Sequence, residues 1–265
     1  MLSLLRTTME RTVVIGAIYG IGDHRVACGD CRDKDFVSRV LGKDRVSLIL
    51  TDVPYAVSYV EGKTAFLGKK MPHAPILNDH FQSDEEFASF THAWLEAVRP
   101  HLERKNAAYS FCSDHKLFAF RDGMVAAGWR FGQLLHWIKH TSVLGRLDFN
   151  MQHETILYFW LGTHEFQRSK DRSVLLHPKP SKNTFHPTCK PTGLLRRLIL
   201  NSSRMQDLVY DPFAGSGSTA VAAEETGRRS VMIELDPHYC TVCLERLERC
   251  TGEKAVLLSP SHHGR

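Results

Sequence analysis

The chain has 265 residues, 43 % of them hydrophobic, and a net charge of +5 at pH 7, which excludes a disordered protein and fits one α/β domain over residues 1–265. No apolar run approaches the roughly 20 residues that span a bilayer, and the run 12–22 resembles a secretory signal without its cleavage site. Seven cysteines, an odd number, argue against a disulfide framework and for the cytoplasm.

Short apolar runs alternate with helical patterns along the chain, which predicts a mostly parallel sheet built from βα units. The predicted strands are 47–51, 107–112, 153–160, 207–210 and 230–234. A capping box of Ser83 and Glu86 begins one helix, with Phe87, Phe90, Trp94 and Val98 on its buried face. A second helix begins at Pro191, and a third follows Asp236 and pairs Glu245 with Arg249.

The segment 207–235 has the pattern of a strand, a glycine-rich turn, a helix and a second strand, which is typical of a nucleotide-cofactor half-site. Gly215 and Gly217 allow the backbone to approach a ligand closely, and Glu234 can accept both ribose hydroxyls. With Ala220 in third place the turn also fits G-x-G-x-x-A, so a dinucleotide site and a purely structural turn remain open.

Asp52, Val53, Pro54 and Tyr55 follow a buried strand pattern, and open α/β sheets bind ligands at the carboxyl ends of their strands. An aromatic amine is a poor nucleophile, and acceptors on its two N–H bonds, such as Asp52 and a backbone carbonyl, can aim its lone pair. Tyr55 could stack on a base pulled out of a duplex. The alternative is an ordinary strand-end turn with a capping Asp and a core Tyr.

A local basic excess lies at 166–190, where six lysines and arginines face one acid, Asp171, while the rest of the chain sums to zero. Such an excess favours contact with phosphates, although a solvated basic loop is equally compatible. The segments 56–82 and 162–185 look like insertions, and loops of this length are where substrate contacts are expected. The basic residues that could contact phosphates are Arg168, Lys170, Arg172, Lys179 and Lys182.

Cysteine pairs and a histidine pair in the chain have the spacing of metal ligands. Cys28 with Cys31 and Cys240 with Cys243 have zinc-like spacing, but the second pair fits the apolar side of a helix, so no metal is predicted. His136 and His140 have helical ligand spacing inside a strand pattern, which argues against a metal there as well.

Taken together, the motifs resemble the β group of DNA amino-methyltransferases. A DPPY-like motif, Asp52–Tyr55, precedes an HPTQKP-like motif, His186–Pro191, and a cofactor motif, Asp211–Thr219, in the order of that group. Further matches are Gly29-Asp30-Cys31, Trp137-Ile138-Lys139 and His153-Glu154, so the resemblance covers about 27–249. It implies a Rossmann-like, doubly wound α/β fold with helices on both faces, S-adenosylmethionine as cofactor and double-stranded DNA as partner. It also implies that the insertions 56–82 and 162–185 contact DNA or recognise its sequence, with Arg168, Lys170, Arg172, Lys179 and Lys182 as the DNA-binding residues.

The resemblance also implies roles for individual residues. Asp52, Val53, Pro54 and Tyr55 would be catalytic, and the Asp-first motif implies adenine N6 as the target. The implied cofactor-binding residues are Asp30, Cys31, Thr188, Lys190, Asp211, Phe213, Gly215, Gly217, Ser218, Thr219 and Glu234. Thr188 and Lys190 are expected to close the cofactor pocket.

Two residues depart from the family pattern: Val53 replaces a proline, and Cys189 replaces a common glutamine. Methylation of cytosine N4 or of RNA remains open, as does a binding protein weakened catalytically by Val53. A nicotinamide enzyme leaves Asp52–Tyr55 unexplained, and C5-cytosine chemistry needs a Pro-Cys pair that the chain lacks. A cognate restriction endonuclease, and a monomeric or homodimeric state, also stay open.

Overall fold

A computed structural model describes residues 11–55, 83–143, 148–167, 171–179 and 189–259. Its strands are β1 (Ile18–Ile21), β2 (His24–Cys28), β3 (Val46–Asp52), β4 (Leu102–Cys112), β5 (Arg130–Val143), β6 (Met151–Trp160), β7 (Val174–Leu176), β8 (Leu208–Asp211), β9 (Arg229–Glu234) and β10 (Val256–Ser259). Its α-helices are α1 (Lys34–Leu41), α2 (Asp84–Val98), α3 (Leu117–Ala126), α4 (Thr192–Ser202), α5 (Ser218–Glu224) and α6 (Pro237–Thr251), and two 3₁₀ turns cover Arg99–His101 and Asp114–Lys116.

All five predicted strands are present as β3, β4, β6, β8 and β9. The predicted capping box is also present: Ser83 Oγ accepts from the Glu86 amide, and Glu86 accepts from the Ser83 amide. Asp236 caps α6 as expected, and Glu245 pairs with Arg249 at 3.5 Å. Pro191 is the N-cap of α4 with extended ψ of 125°, so the helix begins one residue later than predicted.

The strands form one sheet in the order β10-β1-β2-β9-β8-β3-β4-β6-β5-β7. Its centre, β2-β9-β8-β3-β4, is parallel throughout, as the alternation of strands and helices predicts. β6 and β5 continue the sheet as an antiparallel hairpin, and β10 and β1 close the other edge. The fold is therefore the expected mixed α/β sheet, with antiparallel pairs on both sides of the parallel centre and β7 parallel to β5 at the outer edge.

Helices cover both faces of the sheet because side chains alternate along the buried central strands. On β3, Ile49 packs with Phe87, Trp94 and other residues of α1, α2 and α3. Its neighbours Leu48 and Leu50 pack on the opposite face with the apolar side of α4. A third cluster joins β1 and β2 to α5 and α6.

The chain reverses its direction of winding between β3 and β8, which are adjacent and parallel. From β3 it proceeds outward to β4, whereas β8 is followed by β9 on the other side. Such a switch point leaves a crevice at the carboxyl ends of the two strands, where ligands bind in open α/β sheets. In the part of the chain that the structure describes, no helix is long and apolar enough to cross a membrane.

Candidate active site

A cleft that is partly open to solvent lies at this switch point. The Asp52–Tyr55 turn after β3 and the glycine-rich turn after β8 both line it. The predicted site residues that line it are Asp30, Cys31, Asp52, Val53, Pro54, Tyr55, Lys190, Asp211, Phe213, Gly215, Ser218, Thr219 and Glu234. The fold thus brings together motifs that are up to two hundred residues apart in the chain.

Asp52 is the last residue of β3, and its two carboxylate oxygens have different environments. Lys190 Nζ donates to Asp52 Oδ2 at 2.5 Å. Asp52 Oδ1 is buried and has no hydrogen-bond partner among the described residues. A buried oxygen without a partner costs free energy, so a donor is expected to satisfy it when substrate binds.

Lys190 belongs to an alternating chain of charges. Its Nζ lies 3.1 Å from Glu154 Oε2, and Lys139 Nζ lies 2.8 Å from Glu154 Oε1. Both lysine side chains are only 6 % exposed. Two cations and two carboxylates therefore balance one another in the order Asp52, Lys190, Glu154, Lys139, which makes burial of all four tolerable.

Tyr55 joins the same network. Its hydroxyl donates to Glu154 Oε2 at 3.1 Å and accepts from Lys190 Nζ at 3.3 Å. Lys190 Nζ also lies 5.3 Å from the centre of the Tyr55 ring, within the range of a cation–π interaction. The ring is thereby held at its hydroxyl end by Glu154 and Lys190.

The pKa values in the network follow from burial and charge. Burial raises the pKa of Asp52 to about 6, and the negative charge of Glu154 opposes the lowering effect of Lys190. Burial acts in the same direction on Glu154, but Lys190 and Lys139 together lower its pKa to about 2. Glu154 is accordingly ionised at neutral pH, while Asp52 changes protonation state near pH 6.

The glycine-rich turn is bound to Glu234 at the end of β9. Glu234 Oε2 accepts from the Gly215 amide at 2.7 Å, and Oε1 accepts from the Asp236 amide at 2.9 Å. Burial raises the pKa of Glu234 to about 7. Each carboxylate oxygen retains a lone pair for a further donor, as binding of a ribose diol requires.

Gly217 is the N-cap of α5 and has φ of +78°, a conformation that other residues rarely adopt. A Cβ there would lie 2.5 Å from Cys243 Sγ on α6. The turn therefore depends on glycine both for its backbone conformation and for close packing against α6.

Asp211 ties the glycine-rich turn to β3. Its Oδ1 accepts from Thr51 Oγ1 at 2.6 Å and from the Phe213 amide at 3.0 Å. Burial raises the pKa of Asp211 to about 6. Thr51 was not singled out from the sequence, because a threonine inside a buried strand pattern carries no functional signal by itself.

Arg246, which the sequence reasoning also missed, holds the turn from α6. Its Nη1 donates to Ser216 O at 2.6 Å and to Ser218 Oγ at 3.2 Å. Cys189, at the position of the common family glutamine, lies 2.9 Å from Ser218 Oγ through its sulfur. The turn between β8 and α5 is thus supported from two other segments of the chain.

Asp30, Cys31 and Lys190, which were also predicted to bind the cofactor, differ in their contacts. The Asp30 carboxylate is held by Arg32, whose Nη2 donates at 2.6 Å. Cys31 is 5 % exposed and packs into the core behind the cleft. Lys190 was expected to close the cofactor pocket, but its ammonium group points at the catalytic turn.

The lining suits S-adenosylmethionine, the cofactor that the resemblance implies. Five acidic residues and one lysine line the cleft, and this cofactor carries a sulfonium and an ammonium group. A dinucleotide would bring the negative pyrophosphate to the same carboxylates, which Coulomb repulsion disfavours. The Glu234 carboxylate lines the cleft with oxygens that suit a ribose diol, and Phe90, Phe213 and Tyr239 provide apolar surface.

Of the residues assigned to DNA, Arg172 and Lys179 lie within the described residues. Both are exposed, on either side of β7, and the Lys179 amide donates to His140 Nδ1 at 3.1 Å. Neither lines the cleft. The other three, Arg168, Lys170 and Lys182, lie outside the described residues, as do Thr188, the segment 56–82 and part of 162–185.

Asp171, the acid of the basic segment, is bound to α4. Arg197 Nε donates to Asp171 Oδ2 at 3.0 Å, Arg197 Nη2 also donates to Oδ1, and Asn201 Nδ2 donates to Oδ2 at 2.7 Å. Hydrogen bonds from Arg197 hold the pKa of Asp171 well below its usual range. Its charge is therefore neutralised within the protein and does not offset the neighbouring lysines and arginines.

The cysteines with zinc-like spacing separate in the structure. Cys28, Cys240 and Cys243 belong to one apolar cluster and Cys31 to another. His136 and His140 lie on β5, as the strand pattern predicts. Among the described residues, no group of three or more His, Cys, Asp or Glu side chains is arranged to hold a metal ion.

Comparison with known proteins finds DNA methyltransferases, in agreement with the residues that line the cleft. The model of the N6_N4_Mtase family, described as DNA methylase, matches residues 46–245. The chain is 24 % identical to the Type II methyltransferase M1.MboII of Moraxella bovis, over 77 % of this chain and 90 % of that protein.

Two solved structures share the fold. The crystal structure of the M1.HpyAVI–SAM complex has a TM-score of 0.63 at 21 % identity, over 84 % of this chain and 98 % of that chain. The PvuII DNA methyltransferase, which is cytosine-N4-specific, has a TM-score of 0.65 at 14 % identity, over 87 % of this chain and 92 % of that chain. The family match covers most of the sequence, and the chain therefore belongs to the N6/N4 family of S-adenosylmethionine-dependent DNA amino-methyltransferases.

Proposed function

We propose that the protein transfers a methyl group from S-adenosylmethionine to adenine N6 at a defined sequence in double-stranded DNA. The observation that carries this proposal is the pair of oxygens on Asp52. Lys190 holds Oδ2, while Oδ1 is buried without a partner among the described residues, in a residue that lines the cleft. An exocyclic amino group is a donor that can satisfy Oδ1.

When bound, S-adenosylmethionine supplies an electrophilic methyl group. Asp52 Oδ1 and the Val53 carbonyl would accept the two N–H bonds of the target amine, which favours a tetrahedral nitrogen with its lone pair aimed at that methyl. The Tyr55 ring, held at its hydroxyl end by Glu154 and Lys190, would stack on the flipped base. Transfer would form the bond from the nitrogen to the methyl carbon at the expense of the carbon–sulfur bond, and Asp52, which accepts an N–H bond of the amine, would receive the proton that the nitrogen loses.

Adenine is favoured because the catalytic motif begins with Asp52, the form that implies adenine N6 in this family. Cytosine N4 is the second candidate, since the fold is shared with a cytosine-N4-specific enzyme. The two exocyclic amines present similar donors, so the contacts around Asp52 alone do not separate them.

The exposed cations Arg172 and Lys179 support contact with the DNA backbone, together with the Arg168, Lys170 and Lys182 of the same segment. Each neutralised phosphate releases counterions, which favours binding at low salt. We extend to this chain the Type II character of its Moraxella bovis relative, and with it a cognate restriction endonuclease of the same sequence specificity.

The deciding experiment is to incubate the purified protein with labelled S-adenosylmethionine and unmethylated genomic DNA, then to digest the DNA and identify the modified nucleoside. N6-methyladenine supports the proposal. N4-methylcytosine moves the assignment to the second candidate. Cofactor and DNA binding without any methylated base would identify a binding protein that has lost turnover.

The rate should depend on pH through Asp52. Burial raises the pKa of this carboxyl to about 6, and only the ionised form accepts both donors, so the active form predominates above that pH. We expect kcat/KM for DNA, at saturating cofactor, to fall about tenfold per pH unit below pH 6. A decline of kcat/KM that begins only near pH 4 would show that burial does not raise the pKa of Asp52.

Val53 offers a test of the catalytic turn. It is 2 % exposed and packs in the core, and it precedes Pro54, which already favours an extended backbone. Restoring the family proline by Val53→Pro should rigidify the turn and raise kcat about two- to fivefold, the kinetic equivalent of about 0.4–1 kcal/mol. A large loss of kcat would contradict this account of the departure.

A further inference from the structure

We propose that Glu154 is a positioning residue for methyl transfer, which orients the catalytic carboxylate through Lys190 and the base-stacking ring through the Tyr55 hydroxyl. The inference rests on the proposed function and gives a role to Glu154 of β6, a residue that the sequence shows only as part of the short His153-Glu154 match, with no role implied. Glu154 itself need not touch the target base.

The first step is the position of Lys190, which lies just before α4 and donates through Nζ to Asp52 at the end of β3. An ammonium group is a flexible point charge with three donors, so Asp52 alone would not fix it. Glu154 Oε2 at 3.1 Å provides the second anchor, and the Phe111 ring centre, 5.0 Å away, provides a third contact. With Lys190 fixed, Asp52 Oδ2 is held and Oδ1 is left for the amine.

The second step is that the same Glu154 oxygen also accepts from the Tyr55 hydroxyl at 3.1 Å. One carboxylate therefore sets both groups that would contact the target base: the acceptor for its amino group and the ring against its face. Loss of either alignment moves the nitrogen away from the direction of the methyl group, and small misplacements of this kind have large kinetic effects.

The third step is the role of Lys139. Its ammonium lies 2.8 Å from Glu154 Oε1 and 5.3 Å from the Trp137 ring centre, while Gln152 Nε2 donates to its backbone carbonyl at 3.0 Å. Lys139 thus immobilises the far oxygen of Glu154 from β5. The other oxygen, Glu154 Oε2, then contacts Lys190 and the Tyr55 hydroxyl.

The charges that face Glu154 are Lys190, Lys139 and, beyond Lys190, Asp52. Glu154→Gln keeps the size of the side chain and an oxygen acceptor but removes the charge that attracts Lys190. The ammonium should then be free to shift relative to Asp52. We expect kcat to fall at least about tenfold, the effect of a lost hydrogen bond to a charged group, with little change in cofactor affinity.

The test is a double-mutant cycle on kcat, at saturating cofactor and DNA, with Glu154→Gln, Lys190→Met and the double variant. Because Glu154 acts both through Lys190 and through the Tyr55 hydroxyl, the loss in the double variant should be smaller than the product of the two single losses, and the loss beyond Lys190→Met alone should be the part that passes through Tyr55. A merely structural Glu154 would give effects that multiply. Cofactor affinity by calorimetry and the melting temperature are measured on each variant to separate positioning from unfolding.

Two further variants sharpen the result. Glu154→Asp keeps the charge one methylene farther back and should recover part of the kcat lost in the Gln variant. Asp114→Asn is the matched control, because Asp114 accepts from Thr155 Oγ1 at 2.6 Å, next to Glu154 on β6, yet is 40 % exposed and does not line the cleft. Its kcat should stay within about twofold of the wild type.

The outcomes are distinguishable. If the wild-type protein makes no methylated base, the proposed function fails and this inference with it. If the wild type methylates DNA and Glu154→Gln does so at a similar rate, or if the cycle is multiplicative, only the inference fails. Loss of kcat with non-additivity, intact cofactor binding and partial recovery in Glu154→Asp supports it.

Discussion

Asp52→Ala should lower kcat for DNA methylation on the order of 10²- to 10⁴-fold, while cofactor affinity remains within about threefold of the wild type. The variant removes the only side-chain acceptor proposed for the target amine and leaves the Val53 carbonyl. It also leaves Lys190 with Glu154, 3.1 Å away, so the buried ammonium keeps a counter-charge and the fold should survive. Rates are measured at saturating S-adenosylmethionine with the modified nucleoside as the readout, and affinity by calorimetry.

Asp52→Asn provides the matched comparison, because it keeps the shape of the side chain and loses its charge. An amide can still accept one hydrogen bond, so this variant should retain more activity than Asp52→Ala. Equal rates for wild type and Asp52→Ala would remove Asp52 from the mechanism. A parallel collapse of cofactor affinity and melting temperature would assign it a structural role instead.

Gly217→Ala is expected to destabilise the protein by about 2–5 kcal/mol and to lower cofactor affinity at least about tenfold. The first cause is the backbone, since φ of +78° is strained for alanine. The second is the new Cβ, which would lie 2.5 Å from Cys243 Sγ and force the turn or α6 to move. The turn that moves is the one bonded to Glu234, so the ribose acceptor moves with it.

Gly252→Ala isolates the backbone contribution. Gly252 caps α6 with φ of +76°, and nothing lies within 4 Å of a Cβ built there. Gly252→Ala should lower the free energy of unfolding by about 1–2 kcal/mol and leave cofactor affinity unchanged. Adding Cys243→Ala to Gly217→Ala removes the clashing sulfur and should restore part of both losses; failure to restore either would show that the clash is not the cause.

The parallel centre of the sheet could be predicted because buried strands and amphipathic helices leave strong patterns, as in 47–51 and in the capped helix at Ser83. β1, β2, β7 and β10 were not predicted, since strands of three to five residues at or near sheet edges carry too little periodicity. α1 was missed for the same reason: it has eight residues, although Asp33 caps it.

The two halves of the candidate site could likewise be located, because Asp52–Tyr55 and the glycine-rich turn are contiguous in sequence. The charge network around Asp52 could not be located from the sequence. Its members Asp52, Lys139, Glu154 and Lys190 are far apart in the chain, and they meet only because β6 lies between β4 and β5 while α4 begins over the same strand ends. Lys139 and Glu154 each lie in a short match to the family, but nothing in the sequence indicates that they contact each other or Lys190.

The attachment of Asp171 to α4 has a mechanical consequence. Arg197 and Asn201 of that helix hold the carboxylate, and Lys190 lies two residues before the same helix begins. A shift of the segment next to Asp171 would therefore be passed through α4 to Lys190, which donates to Asp52. If that segment contacts DNA as proposed, DNA binding and the alignment of Asp52 are linked through a single helix.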